Sequence, residues 1–128
     1  MNLPWWLPFG RVPEMSAHEL NDLLKDGGAE YSGAGYSGAQ LIDVRTPAEF
    51  AAGHVVGARN VPIYALKQAL PTLALDASRP IVAICATAHR SPPAVRLLRA
   101  VGYENAVQLK GGMISWYAAR LPTDKSSA

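Results

Sequence analysis

The chain has 128 residues, a length typical of one domain with its own hydrophobic core. Hydrophobic residues make up 49% of the sequence and charged residues 17%, which excludes an intrinsically disordered chain. The formal net charge is only +2 and the basic residues are scattered, so we expect no nucleic-acid partner.

Cysteine count and hydropathy narrow the class of protein further. Cys85 is the only cysteine, which excludes an internal disulfide and a zinc site built from several thiolates. No apolar run approaches the ~20 residues of a membrane span. The apolar segment 3–9 is broken by two prolines and lacks a basic region before it, so it does not resemble a signal peptide. We therefore expect a cytoplasmic protein. Trp5 and Trp6 are expected to pack against the domain, with docking on a partner or on a membrane surface as the alternatives.

A capping box marks the first predicted helix. The Ser16 side chain is spaced to accept a hydrogen bond from the amide of Glu19, and the Glu19 carboxylate to accept one from the amide of Ser16. The pattern predicts a helix that begins here and ends at the glycine pair 27–28. Residues 31–39 are rich in glycine and serine and are predicted to form a loop.

A strand and a second helix adjoin one another in the next segment. Residues 40–44 predict a short strand, and Thr46 with Glu49 forms a second capping box with proline at the first helical position. Asp43, Arg45 and Glu49 lie at this junction of strand and helix. We expect them to form an ion pair or a cap rather than to act in acid–base catalysis.

The second half of the chain alternates strands with helices. The apolar run 81–84 predicts a strand buried on both faces, and residues 106–109 predict another. A helix from Pro92 with its stop at Gly102 would bury one face formed by Ala94, Leu97, Leu98 and Val101. After a turn at Gly111 and Gly112, the last helix would bury Met113, Trp116 and Tyr117. This alternation predicts an open, mostly parallel α/β sheet with helices on both faces.

The loop after the strand 81–84 carries the candidate active site. Ligands of parallel sheets bind beyond the carboxyl ends of the strands, where Cys85 lies. If the loop curls, its amides and the dipole of the next helix would favour a thiolate, and Arg90 would bind an oxyanion. We expect Cys85 to be the catalytic nucleophile. The expected substrate-binding residues are Ala86, Thr87, Ala88, His89, Arg90 and Ser91.

Other interpretations of these residues are available. A lone cysteine in a globular domain is most often buried and inert, but the position of Cys85 after a strand and the nearby Arg90 favour a reactive thiol. His89 either tunes the thiolate, contacts the substrate or points to solvent. His18 and His54 have no spacing typical of a metal site, so we expect neither a metal nor another cofactor.

Several of these residues together resemble the rhodanese family. The stretch Asp43-Val44-Arg45, then Glu49, Gly53-His54 and Gly57-Ala58-Arg59-Asn60-Val61-Pro62 is similar to the family's first signature. Gly111-Gly112 together with Trp116 is similar to the last signature of the family. The family's active loop begins with cysteine and has arginine five positions later, as Cys85 and Arg90 do here. The resemblance covers residues 14–121, which we expect to be the domain, with an extension at 1–13 and a tail at 122–128.

The resemblance implies a single-domain sulfurtransferase. Cys85 would attack the outer sulfur of a small anionic donor such as thiosulfate, release sulfite and keep the sulfur as a persulfide. A thiol, a cysteine of a partner protein or cyanide would then accept the sulfur. Because the sequence has no second cysteine to form an internal disulfide, the acceptor is expected to come from outside. The physiological donor, the acceptor and the oligomeric state stay open.

The loop departs from the family pattern at two places. Glycine is frequent at the position of Ala88, and a positive φ there would strain alanine by about 1 kcal/mol. Pro92 and Pro93 remove two amides from the next helix, so residues 86–91 would have to supply the donors.

Two other functions are alternatives to a sulfurtransferase. A related phosphatase would need one residue more between the cysteine and the arginine than the four found here. The stronger alternative is a non-catalytic rhodanese-like binding module.

Overall fold

The computed structural model describes residues 11–26, 39–87 and 90–125. The strands in these ranges are β1 (Glu14–Met15), β2 (Gln40–Asp43), β3 (His54–Val55), β4 (Arg59–Asn60), β5 (Ile81–Ile84), β6 (Ala106–Leu109) and β7 (Thr123–Asp124). The helices are α1 (Ala17–Asp26), α2 (Pro47–Ala52), α3 (Ile63–Leu73), α4 (Ser91–Ala100) and α5 (Gly112–Ala118).

A five-stranded sheet with the order β1-β6-β5-β2-β4 forms the centre of the domain. All of its described pairings are parallel, because the connections between paired strands cross over through helices. β3 and β7 form a separate antiparallel pair. The predicted open, mostly parallel α/β sheet is therefore confirmed.

Helices cover both faces of the sheet and bury two apolar clusters. All four residues of β5 are buried, as its continuous apolar run predicts. Ile81 and Ala83 belong to the cluster that includes residues of α3 and α4, whereas Val82 and Ile84 belong to the cluster that includes residues of α1 and α5. The end of β5 is thus held from both sides, which fixes the start of the loop that follows it.

Both predicted capping boxes are present. The amide of Glu19 donates to Ser16 Oγ (3.1 Å), and the amide of Ser16 donates to Glu19 Oε1 (3.0 Å). At the second box the amide of Glu49 donates to Thr46 Oγ1 (3.3 Å), and the amide of Thr46 donates to Glu49 Oε1 (2.9 Å). These bonds satisfy amides that have no partner within the first turn of a helix.

Two predictions about buried helix faces are wrong. Val101, expected on the buried face of α4, is 53% exposed because the helix ends at Ala100 and Val101 is already its C-terminal cap. Tyr117, expected on the buried face of α5, is 46% exposed, and its ring reaches across to the backbone of Gly53. α4 also begins at Ser91, one residue earlier than predicted.

Several sequence predictions concern residues outside the described ranges. They are the segment with Trp5 and Trp6, the helix stop at 27–28, residues 31–38 of the predicted loop, Ala88 and His89. Within the described ranges, no helix combines the length and the apolar character that crossing a bilayer requires.

Candidate active site

Cys85 follows directly after β5, at the carboxyl end of the parallel sheet, and only 1% of its surface is exposed. Its carbonyl oxygen accepts a hydrogen bond from the amide of Met113 (2.8 Å). The carbonyl of Ala86 likewise accepts one from the amide of Ile114 (3.1 Å). The first turn of α5 therefore uses amides that lack helical partners to anchor the beginning of the loop.

Glycine at position 112 allows this close approach of helix and loop. Gly112 has φ +60°, and a Cβ there would run into the carbonyl oxygen of Cys85 and lie 2.6 Å from that of Ala86. Gly111, with φ +73°, precedes it as the N-terminal cap. The glycine pair predicted as a turn is thus the start of α5, and a side chain at Gly112 would displace the backbone of the loop.

A chain of polar side chains leads away from the Cys85 thiol. Cys85 Sγ lies 3.3 Å from Ser91 Oγ, and the Ser91 hydroxyl donates to Gln108 Oε1 (2.6 Å). The Gln108 side-chain amide Nε2 donates to Glu14 Oε2 (3.1 Å). Cys85, Ser91 and Gln108 are all buried, and Glu14 is exposed. The thiol is therefore connected to a surface carboxylate through two neutral side chains.

Arg90 is held by a carboxylate from a distant part of the sequence. Its Nη1 lies 2.5 Å from Glu49 Oε1, and its Nη2 donates to Glu49 Oε2 (2.8 Å). These bonds from Arg90 lower the pKa of Glu49 to about 2, although burial acts in the opposite direction. The bonds to Glu49 also raise the pKa of Arg90, and negative charge at Cys85 and Asp43 adds to that rise. The site is thus built so that Arg90 stays a cation.

A buried ion pair lies at the end of the neighbouring strand β2. Arg45 Nη2 donates to Asp43 Oδ2 (2.7 Å) and to the carbonyl of Gly53 (2.7 Å), and both charged side chains are almost completely buried. Burial acts to lower the pKa of Arg45, but its bonds to Asp43 and the charge of Asp43 outweigh this and raise it. The carbonyl of Gly53 also accepts from the Tyr117 hydroxyl (3.0 Å). For Asp43 and Arg45 the expected structural ion pair is present.

The histidine at position 54 has a packing role. Its ring stacks on Phe50, with the ring centroids 3.6 Å apart and the planes inclined by 5°. The Nδ1–H group donates to the carbonyl of Phe50 (2.7 Å). Among the described residues, no three side chains of the metal-binding types are grouped closely enough to hold an ion.

The predicted site residues are partly brought together by the fold. Cys85 and Ser91 are in contact, Arg90 immediately precedes Ser91, and Ala86 and Thr87 follow the thiol in the loop. Ala88 and His89 lie outside the described residues, so the proposed curl of the loop and the strain at Ala88 stay predictions.

Three contacts at the site were not predicted from the sequence. Glu49 was expected to act only at the junction of β2 and α2. Its bond to Arg90 was not expected, because the two residues are 41 positions apart in the sequence. The contacts of Gln108 with Ser91 and with Glu14 were also not predicted. One signal was present, because Gln108 is a polar residue two positions after Ala106 on the same inward face of β6.

The sequence is similar to those of known proteins over most of its length. The sequence model of the rhodanese-like domain matches residues 16–119. The chain is 45% identical over 83 residues to the uncharacterized protein YqhL of Bacillus subtilis, covering 65% of this chain and 64% of that protein. It is 32% identical over 91 residues to the thiosulfate sulfurtransferase GlpE of Pseudomonas aeruginosa, covering 71% of this chain and 80% of that protein.

Solved structures agree with the sequence comparison. A crystal structure of a rhodanese-related protein from Thermoplasma volcanium superposes with a TM-score of 0.74 and 26% identity, covering 90% of this chain and 100% of that one. The chain spans between 38% and 64% of the length of three curated relatives, YqhL among them, so it corresponds to one part of those proteins. The match over most of the chain, together with the parallel sheet, shows that the protein belongs to the rhodanese-like domain family.

Proposed function

We propose that the protein is a thiosulfate sulfurtransferase that carries sulfur as a persulfide on Cys85. The observation that carries the proposal is the position of Cys85 at the carboxyl end of β5, with Arg90, a cation bound to Glu49, five residues further along the chain. A nearby permanent cation stabilises a thiolate and attracts an anionic donor. The similarity to GlpE, a protein named as a thiosulfate sulfurtransferase, supports the same substrate.

The first half-reaction transfers one sulfur atom to the protein. The Cys85 thiolate attacks the outer sulfur of thiosulfate, a bond forms between the two sulfurs, and the sulfur–sulfur bond of thiosulfate breaks. Sulfite leaves with the electron pair of that bond. The oxyanion would be held by Arg90 and by the backbone amides of residues 86–91, which together replace part of its hydration. The nearly complete burial of Cys85 favours a small donor over a bulky one.

The second half-reaction returns the protein to its starting state. The acceptor attacks the outer sulfur of the persulfide, the bond between that sulfur and Cys85 Sγ breaks, and Cys85 leaves as the thiolate. Cyanide would yield thiocyanate, and a thiolate would yield a new persulfide. Because Cys85 is the only cysteine of the sequence, we propose an acceptor thiol supplied by a small molecule or by another protein.

The proposal also names the residues that form the catalytic domain and the compartment in which it works. We assign the catalytic domain to residues 14–121. We also propose that it works in the cytoplasm, where the reducing environment keeps a lone reactive cysteine as a thiol.

Intact-mass measurement tests the first half-reaction directly. The purified protein is incubated with thiosulfate, and we expect a gain of one sulfur atom that cyanide removes as thiocyanate. Cys85→Ser should show no gain. Arg90→Gln should slow persulfide formation by about tenfold or more, as expected for loss of a charge-assisted contact. Arg11→Gln, which removes an exposed positive charge at the edge of the described chain, is the matched control and should behave as the parent protein.

The experiment also separates the proposal from its alternative. If Cys85 is alkylated readily but gains no sulfur from thiosulfate, the thiosulfate assignment is wrong. A non-catalytic binding module would then be the better interpretation, unless a different sulfane donor loads the same thiol.

A further inference from the structure

We propose that Glu49 is a built-in competitor for Arg90 that promotes the release of sulfite. It gives up the Arg90 guanidinium when an anionic donor binds, and it takes the guanidinium back after the sulfur has moved to Cys85. The inference deepens the proposed function, because it rests on Arg90 binding the donor and on sulfite being the anion that has to leave.

The Arg90 guanidinium has its described hydrogen bonds with Glu49. Nη1 donates to Glu49 Oε1, and Nη2 donates to Glu49 Oε2. These two nitrogens form the fork that binds two oxygens of an oxyanion. Asp43 also acts on Arg90 through its charge, but it is completely buried and bound to Arg45. An anion that binds both terminal nitrogens of Arg90 therefore has to displace the carboxylate of Glu49.

A second set of bonds keeps Glu49 in place when it gives up Arg90. Glu49 Oε1 also accepts from the amide (2.9 Å) and the hydroxyl (3.1 Å) of Thr46, the N-terminal cap of α2. The capping box of α1 shows that an arginine is not needed for this. There Glu19 accepts from the amide of Ser16 (3.0 Å), although Glu19 forms no salt bridge with any described residue. Glu49 therefore stays beside the binding site as a fixed negative charge.

The exposure of the pair makes the exchange easy. The side chains of Arg90 and Glu49 are 32% and 35% exposed, so water can replace the guanidinium at the carboxylate. Glu49 is ionised at neutral pH with or without Arg90, since its pKa is about 2 in the pair and its ordinary value is 4.5. An ion pair this exposed is weak, so the carboxylate should reduce the affinity for an anion by only about two- to fivefold.

Sulfite that stayed in the site would reverse the first half-reaction. It would attack the outer sulfur of the persulfide, the bond of that sulfur to Cys85 Sγ would break, and thiosulfate would form again as Cys85 leaves as the thiolate. Glu49 is held next to Arg90 and so has the high effective concentration of an intramolecular competitor. Return of the guanidinium to Glu49 frees sulfite and leaves the persulfide for the acceptor.

Titration with sulfate tests the exchange without any sulfur transfer. Sulfate is a tetrahedral oxyanion like thiosulfate, but it has no outer sulfur to transfer. It is added to the full chain at constant ionic strength, and the backbone amide resonances are followed by NMR. Glu49→Gln should lower the dissociation constant of sulfate by about two- to fivefold, because the carboxylate no longer competes. Glu19→Gln, the same change in the capping box of α1, should leave it unaltered.

The Arg90→Gln background distinguishes competition from a simple loss of negative charge. Sulfate should bind more weakly there, and Glu49→Gln should have no further effect, because no guanidinium is left to compete for. A gain of the same size in this background would show that Glu49 acts by general repulsion and would overturn the inference. Unchanged or weaker binding in Glu49→Gln would overturn it too, and so would a lack of sulfate binding in both proteins.

Inhibition by sulfite extends the test to the reaction itself. During persulfide formation from thiosulfate, Glu49→Gln should lower the inhibition constant of sulfite by the same factor of about two to five. An unchanged inhibition constant, with tighter sulfate binding, would overturn the role of Glu49 in product release. If the parent protein takes no sulfur from thiosulfate, the proposed function fails, while the sulfate titration still decides whether Glu49 competes for Arg90.

Discussion

Glu49 binds both terminal nitrogens of Arg90, with 2.5 Å between Nη1 and Oε1 and 2.8 Å between Nη2 and Oε2. The guanidinium proposed to bind the sulfur donor is therefore paired with a carboxylate before any donor arrives. Both side chains are about one-third exposed, so this pair lies where an incoming anion can compete with Glu49. The competition leads to the first two predictions.

Glu49→Gln should lower the KM for thiosulfate by about two- to fivefold, because the anion no longer competes with a carboxylate for Arg90. Glutamine still serves in a capping box, so α2 should keep its N-terminal cap. Steady-state kinetics at low ionic strength would measure the effect. The matched control is Glu19→Gln, which makes the same change in the capping box of α1 and should leave KM unaltered. A higher KM in Glu49→Gln would mean that Glu49 mainly holds Arg90 in its binding position.

The contribution of Glu49 to stability should disappear in acid. Its pKa falls from 4.5 to about 2 on folding, so between these values the unfolded chain binds the proton that the folded chain does not. The stabilisation is present above pH 4.5 and is lost as the pH falls toward 2. Because the pair is partly exposed and screened, we expect about 1 kcal/mol or less.

Urea unfolding of the parent protein and Glu49→Gln across this pH range checks the dependence. The difference between their free energies of unfolding should be constant above pH 4.5 and shrink below it. A difference that grows in acid would contradict the prediction.

Gly112→Ala should disturb the loop as well as destabilise the protein. The added Cβ would collide with the carbonyl of Cys85, at a backbone φ of +60°. We expect about 2–4 kcal/mol of destabilisation, from backbone strain and overpacking together. Gly102→Ala is a useful control, since Gly102 also has positive φ (+111°) but no atom lies within 4 Å of its added Cβ.

Thermal unfolding and persulfide formation should be measured for both glycine variants. Both are expected to be less stable, but only Gly112→Ala should form persulfide more slowly at a temperature where each is folded. Equal rates would show that the close contact between α5 and the loop is unimportant for the chemistry.

Asp43→Asn should be strongly destabilising, by about 3–5 kcal/mol, because it leaves the buried Arg45 cation without its counter-charge. Chemical denaturation would measure the loss. Asp22→Asn, at an exposed position of α1, is expected to change stability by less than about 0.5 kcal/mol. A loss of similar size at both positions would contradict a special role for the buried pair.

Local features of the sequence predicted much of the secondary structure. The capping boxes at Ser16 and Thr46 were predictable because their partners lie three residues away along the chain. The burial of β5 followed from its continuous apolar run, and the position of Cys85 followed from the end of that strand. The errors at Val101 and Tyr117 have the opposite cause. Helical periodicity identifies a face, but it fixes neither the residue at which α4 ends, before Val101, nor how far the neighbouring elements cover α5 at Tyr117.

What the sequence determined by itself was the alternation of strands and helices, their approximate limits and the position of the cysteine at a strand end. Only the tertiary structure decided which side chains surround that cysteine. Arg90 reaches Glu49 across 41 positions, and Gln108 reaches Glu14 across 94. These contacts depend on the strand order β1-β6-β5-β2-β4, which places distant segments side by side. Spacing along the chain reflects local geometry, whereas the partners of a buried polar group are set by which strands and helices pack together.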